Sequence, residues 1–333
     1  MMGANPMGIR RGIEAATKDA VAHLKKMSKP IKTDEEVKQV ATISAESEEI
    51  GVIIANTIKK VGKDGVVTVE ASQSFGIESE VVDGFQFDRG YISPYMITNT
   101  ERMEAEYKDP LVLVTDKKIS SIKDVLPLLE KIAQSGKKEL VIIADDVDGE
   151  ALTTFVLNKL RGGFNILAVK APGFGDKKKD MLQDIAIMVG AKLISEEVGL
   201  TFEKTDIAHL GRAQKIVSTK DDTIIVDGKG KKSDIQERIK NLQSAKENSK
   251  NKFDKEKLDE RIGKLTNGVA VIRVGAATET EMKYLKDKIE DAVNATKAAI
   301  AEGIVIGGGA ALVKVSKMLE EKLRVSKEAK MAH

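Results

Sequence analysis

Cysteine and tryptophan are absent from the 333 residues, and histidine occurs three times, at His23, His209 and His333. Without cysteine there is no disulfide framework, no thiolate nucleophile and no cysteine-ligated zinc site, and three scattered histidines supply neither a metal cluster nor a His-based acid–base pair. Neither sign of charge dominates: 54 Lys+Arg face 52 Asp+Glu, a net charge of +2. So small an excess builds no field able to hold a phosphate backbone, which excludes nucleic acid as the main partner. No apolar run approaches the roughly 18 residues that span a bilayer, and residues 1–11 lack the unbroken apolar core of a signal peptide. The expected location is accordingly cytoplasmic or organellar, with no membrane partner.

What is present fits a globular chain. Hydrophobic residues make up 41% and charged residues 32%, and a length above about 250 residues favours two or more domains. Residues 8–26 carry apolar side chains at helical spacing until Ser28-Lys29-Pro30 stops the pattern. Residues 34–60 read as further helix, and residues 65–79 change to a β-rich run with Val66, Val67 and Val69. Between residues 84 and 268 apolar β-type runs at 111–115, 140–144, 166–169, 193–194 and 223–226 alternate with helical patterns at 121–135, 150–161 and 177–189. Residues 231–265 are rich in Lys and Glu, with Ile235, Ile239, Leu242 and Leu258, Ile262, Leu265 each spaced i, i+4, i+7, which predicts a charged helical hairpin with two apolar seams. A strand over 269–274, a helix over 279–301 with Gly303 as its cap, and a helix over 310–323 complete the chain.

Three features could carry chemistry. Gly307-Gly308-Gly309 lies between an apolar run and a helix start, where backbone N–H groups could meet a phosphate or simply make a tight turn. Asp291 falls opposite the apolar arc of the helix over 279–301, an arc whose one polar member is Thr296; there it is a surface acid or a carboxylate able to orient water. The helices over 121–135 and 150–161 have apolar arcs of about 160° and about 240°, wider than the roughly 100° that one packing face needs. Such helices are either sandwiched between layers or expose an apolar strip, and exposed strips mark binding sites.

Four ordered motifs carry a resemblance over nearly the whole chain: Phe87-Asp88-Arg89-Gly90-Tyr91-Ile92-Ser93-Pro94-Tyr95, Lys170-Ala171-Pro172-Gly173-Phe174-Gly175-Asp176, Val274-Gly275-Ala276-Ala277-Thr278-Glu279, and Gly307-Gly308-Gly309. They closely resemble signatures of the group I chaperonin large subunit, GroEL-type. The resemblance implies a mixed α and β, multidomain chain. Residues 84–268 are similar to the apical polypeptide-binding domain, α/β with a β-sandwich core flanked by helices. Residues 31–83 and 269–302 resemble the two parts of a small α+β intermediate domain, and residues 1–30 and 303–333 resemble helical remnants of the equatorial domain. The family's Gly-Asp-Gly-Thr-Thr nucleotide segment has no counterpart here, so a partial subunit is expected.

Carried over residue by residue, the resemblance assigns polypeptide and co-chaperonin contacts to Tyr91, Tyr95, Met96, Leu126, Leu129, Leu152, Val156 and Leu157, which favours the exposed-strip reading. It assigns activation of ATP hydrolysis to Asp291, nucleotide contact to Gly308, hinges to the pairs Pro30 with Gly303 and Gly84 with Gly268, and charged contacts to Arg89 and Glu279. Implied for the complete subunit are ATP and Mg, a GroES-type co-chaperonin, unfolded polypeptide clients and a homo-oligomeric double heptameric ring; for this chain alone no cofactor is expected. Met96 stands where an aromatic is common, Asn267 where glycine is common and Asn294 where histidine is frequent, and Lys138-Glu139 adds a residue to its loop. The rival reading is a phosphate-handling α/β enzyme using the Gly307 turn and Asp291, and a third is a ring component with no client.

Overall fold

The computed structural model describes residues 5–62, 65–249 and 251–322. The limits expected at Met1, Leu323 and His333 lie outside the described residues. In chain order the elements are α1 (Pro6–Met27), α2 (Asp34–Ala45), α3 (Glu48–Val61), β1 (Val66–Ala71), β2 (Gly76–Val82), β3 (Gly84–Phe87), β4 (Ala105–Lys108), β5 (Leu111–Val114), β6 (Lys118–Ile119), α4 (Ile122–Gln134), β7 (Glu139–Ala144), β8 (Asp146–Val147) and α5 (Gly149–Leu160). They continue with β9 (Asn165–Lys170), α6 (Asp176–Val189), β10 (Gly211–Ser218), β11 (Thr223–Gly228), α7 (Lys232–Asn248), α8 (Lys252–Thr266), β12 (Val269–Gly275), α9 (Glu279–Glu302) and α10 (Ala310–Lys322). The architecture is mixed α and β, in two compact units. One is built from the described parts of residues 1–59, 69–79 and 272–333, the other from those of residues 60–68 and 80–271.

In the second unit the strands expected in a sandwich core form an antiparallel half and a parallel half joined through β10. Residues 215–218 of β10 pair with β4 and with β11, while Gly211 and Arg212 pair with β5. The parallel half, β5, β7 and β9, is a run of Leu, Val, Ile and Ala with nearly every residue buried, as strands covered on both faces require. Leu193 and Ile194 form no strand; Ile194 makes a single bridge to Thr115. Ile166 is 1% exposed within this core. Ile166→Ala is expected to lower stability by about 2–5 kcal/mol, read by urea unfolding. Ile122 of α4 is half-buried at the margin of this core, so the same change there costs less.

The charged segment folds as the helical hairpin α7–α8. Ile235, Leu242 and Leu265 of its seams enter the core, and Ile239, Leu258 and Ile262 pack at its edge. What the seams did not reveal is an ionic clamp onto α6. The fully buried Asp184 carboxylate accepts from Arg238 Nε at 2.7 Å and from Arg261 Nε and Nη2 at 2.7 and 3.0 Å. Asp180, one turn earlier, accepts from Arg261 Nη1 at 3.1 Å. Burial disfavours the charged Arg261 guanidinium, and the Asp184 carboxylate, with Asp180 adding to it, outweighs that and raises its pKa.

In the first unit, the helix expected over 34–60 is two helices. Glu46 closes α2 in the left-handed region, φ 50°, and α3 starts two residues on. α2 packs on α9, where Ile289, Ala292 and Val293 are buried and Asp291 is exposed. Thr296, the polar residue in that buried arc, donates to the Ala292 carbonyl at 2.6 Å, which satisfies its hydroxyl inside the core.

Candidate functional site

The helices α4 and α5 begin side by side because their N-termini share hydrogen bonds. Ser120 Oγ donates to Asp148 Oδ1 at 2.6 Å, Ser121 Oγ donates to Glu150 Oε2 at 3.4 Å, and the Ala151 N–H donates to the Ser120 carbonyl at 3.0 Å. Lys118, and then the Ser120 hydroxyl, hold the Asp148 carboxyl below the usual carboxylate range, and Lys118 in turn is raised by Asp148. The 3₁₀ turn Pro94–Met96 packs beside α5. Lys159 of α5 fixes it from the far end, its Nζ donating to the Ile97 carbonyl at 2.8 Å, and burial lowers its ammonium pKa.

Each helix then sorts its apolar residues into two sets. Val125, Leu128 and Ile132 of α4 and Ala151 and Phe155 of α5 are buried in the core. Leu129, Leu152 and Val156 are half-buried and pack against that core. Leu126 is 43% exposed, Leu157 45% and Leu160 66%, and Tyr95 on the adjacent turn is 68% exposed. The wide apolar arcs thus serve both a packing face and an exposed strip. Leu160 lies on the arc that periodicity identified, but the resemblance did not single it out.

Two expected contact residues are corrected. Tyr91 is 9% exposed and bridges Val169 on the outer edge of β9, and Met96 is fully buried with its thioether accepting the Ala168 N–H at 3.2 Å. The free edge of β9 needs its N–H and C=O groups satisfied, and residues 91–96 provide that cover. Tyr91 and Met96 are therefore core side chains, and Tyr95 alone of the three faces solvent. Arg89 lies over the exposed Phe174 ring, 5.3 Å from its centre.

Gly307-Gly308-Gly309 forms a turn opening α10, with φ +64° at Gly308 and +76° at Gly309 and open space around both. The hinge candidates come together in pairs. Lys29, beside Pro30, and Ile304, beside Gly303, exchange two backbone hydrogen bonds at 2.9 Å. A Cβ on Gly303 would stand 2.4 Å from Ser28 Oγ, one on Gly84 2.5 Å from Val269 Cγ2, and one on Gly268 2.5 Å from the Val82 carbonyl. These close approaches and the positive φ of Gly268 and Gly303 are what only glycine permits.

A model of the TCP-1/cpn60 chaperonin family matches residues 1–333. The chain belongs to that family. It is thus a chaperone; chaperonins in general are ATP-dependent, assemble as oligomeric rings and act on unfolded polypeptides. For a nucleotide with its metal, this chaperonin chain offers the Gly307 turn, able to present backbone N–H groups, and the exposed Asp291 carboxylate. Among the described residues no group of three His, Asp or Glu side chains is placed to hold a metal ion. The described residues therefore fit a phosphate contact and a single carboxylate, and among them the full donor set that metal-assisted phosphoryl transfer uses is not found.

Proposed function

We propose that this chaperonin chain is of the group I, GroEL type and captures non-native polypeptides on the strip formed by Tyr95, Leu126, Leu157 and Leu160, floored by Leu129, Leu152 and Val156. The observation that carries this reading is the division within α4 and α5: one apolar face completes the core while a second stays in solvent. Burying such a strip gains about 25 cal/mol per Å², less the cost of ordering the partner. Flexible leucine side chains fit many sequences, so the gain does not depend on one client. A native protein, with its own leucines buried, offers nothing to match the strip.

Residues 84–268 serve as the apical domain in this reading, residues 31–83 with 269–302 as the intermediate domain, and residues 1–30 and 303–333 as equatorial parts of a ring-forming subunit. Movement about the pairs Pro30/Gly303 and Gly84/Gly268 would carry the strip between client and a GroES-type co-chaperonin that buries the same leucines. Asp291 and Gly308 are assigned to the carboxylate and backbone contacts of the nucleotide. Titrating the chain against one fluorescently labelled protein, unfolded in one series and native in the other, tests the reading. Saturable binding of the unfolded form alone is expected; equal binding of both, or of neither, would defeat it.

A further inference from the structure

The segment between α6 and β10 and the end of α6 form an open surface pocket of about 380 Å³ that the apolar strip does not include, lined by Gln183, Lys192, Leu193, Val198, Leu200 and His209 among others. Its volume is within the range of small-molecule sites. No Asp or Glu is among the residues that line it. The polar side chains that do are chiefly donors. The Asp206 N–H donates to His209 Nδ1 at 3.0 Å, so in the neutral ring the proton sits on Nε2, leaving a donor there. Among the described residues neither the exposed Lys192 ammonium nor the half-buried Gln183 amide has a side-chain partner within the protein. Asp206, whose N–H holds His209, is already engaged: the Ile207 N–H first and Lys131 second hold its carboxyl below the usual range. Leu193, Val198 and Leu200 supply the apolar part of the lining.

Three unengaged donors, an excess of positive charge and an apolar wall describe the complement of one kind of molecule. We infer that this pocket binds a small carboxylate carrying an apolar body. The carboxylate pairs with Lys192 and accepts from His209 Nε2 and the Gln183 amide, and the apolar body covers Leu193, Val198 and Leu200. The site is independent of client capture, because none of its residues belongs to the strip.

The probe is hexanoate, titrated into the full chain while the imidazole resonances of His209 are followed by NMR, with hexanol and hexylammonium as controls of equal apolar length. Hexanoate is expected to move the His209 resonances saturably in the millimolar range, and neither control to do so. Lys192→Glu, at an exposed position, should weaken hexanoate at least about tenfold, and Gln183→Leu should weaken it by less. The double variant Leu126→Glu/Leu157→Glu should bind hexanoate unchanged, which separates this pocket from the strip. Absence of a saturable shift, an equal shift with hexanol, or affinity indifferent to both Lys192→Glu and Gln183→Leu overturns the inference.

Discussion

Asp184→Ala is expected to destabilise the α/β unit by about 3–5 kcal/mol, the cost of removing one member of a buried ion pair and leaving its partners unmatched. The Asp184 side chain is fully buried and takes three N–H donors from two arginines that stand on different helices of the hairpin. Deleting it strands Arg238 and Arg261, whose side chains are themselves 20% and 13% exposed, against an apolar seam with only Asp180 left to them. Denaturant unfolding should record the loss, and hydrogen exchange should show α7 and α8 losing protection before the strands of the parallel half. Asp180→Ala removes an acid that is 58% exposed and should cost about 1 kcal/mol or less. Equal effects at the two positions would show that the clamp does not depend on burial.

Leu126→Glu combined with Leu157→Glu is expected to weaken capture of unfolded protein at least about a hundredfold, close to 3 kcal/mol, while leaving the melting temperature almost unchanged. Both side chains stand in solvent on helices whose buried faces stay intact, so a carboxylate at either position is hydrated in the free protein. It must be dehydrated only when an apolar segment settles on it. Leu152→Glu behaves differently. Leu152 packs against the core, so the charge there costs stability as well as capture, and the sequence reading that placed Leu152 outward with Leu126 is too generous to it. An aggregation-suppression assay beside thermal unfolding separates the two classes of variant.

Much of this was legible from periodicity. The surplus apolar arcs of α4 and α5, the two seams of the hairpin and the outward Asp291 all follow from where side chains fall around a helix, a property local to one segment. Features set by distant partners were not legible. The burial of Met96 depends on Ala168, 72 residues away, presenting an unpaired N–H on the edge of β9. β10 escaped notice because Arg212, Gln214 and Lys215 interrupt its apolar pattern; Lys215 is nevertheless buried and lies 3.8 Å from Glu106 of β4. Asp184 is one more charge on a charged helix in the sequence, and only the two arginines converging on it give it a role. The break at Glu46 carries no glycine or proline, and the following Ser47, whose hydroxyl accepts the Ile50 N–H at 3.4 Å, was its one local signal.

The central claim is that non-native chains lie on the exposed strip of α4 and α5. Its most direct test places a photo-cross-linking phenylalanine analogue at position 126, 157 or, as a control on the solvent face of α7, 240, and illuminates the chain with an unfolded client. The account predicts cross-links from 126 and 157 that an excess of unlabelled unfolded protein abolishes and an excess of native protein does not, with none from 240. Cross-links of equal yield from 240, or none from 157 while the client remains bound, would contradict it.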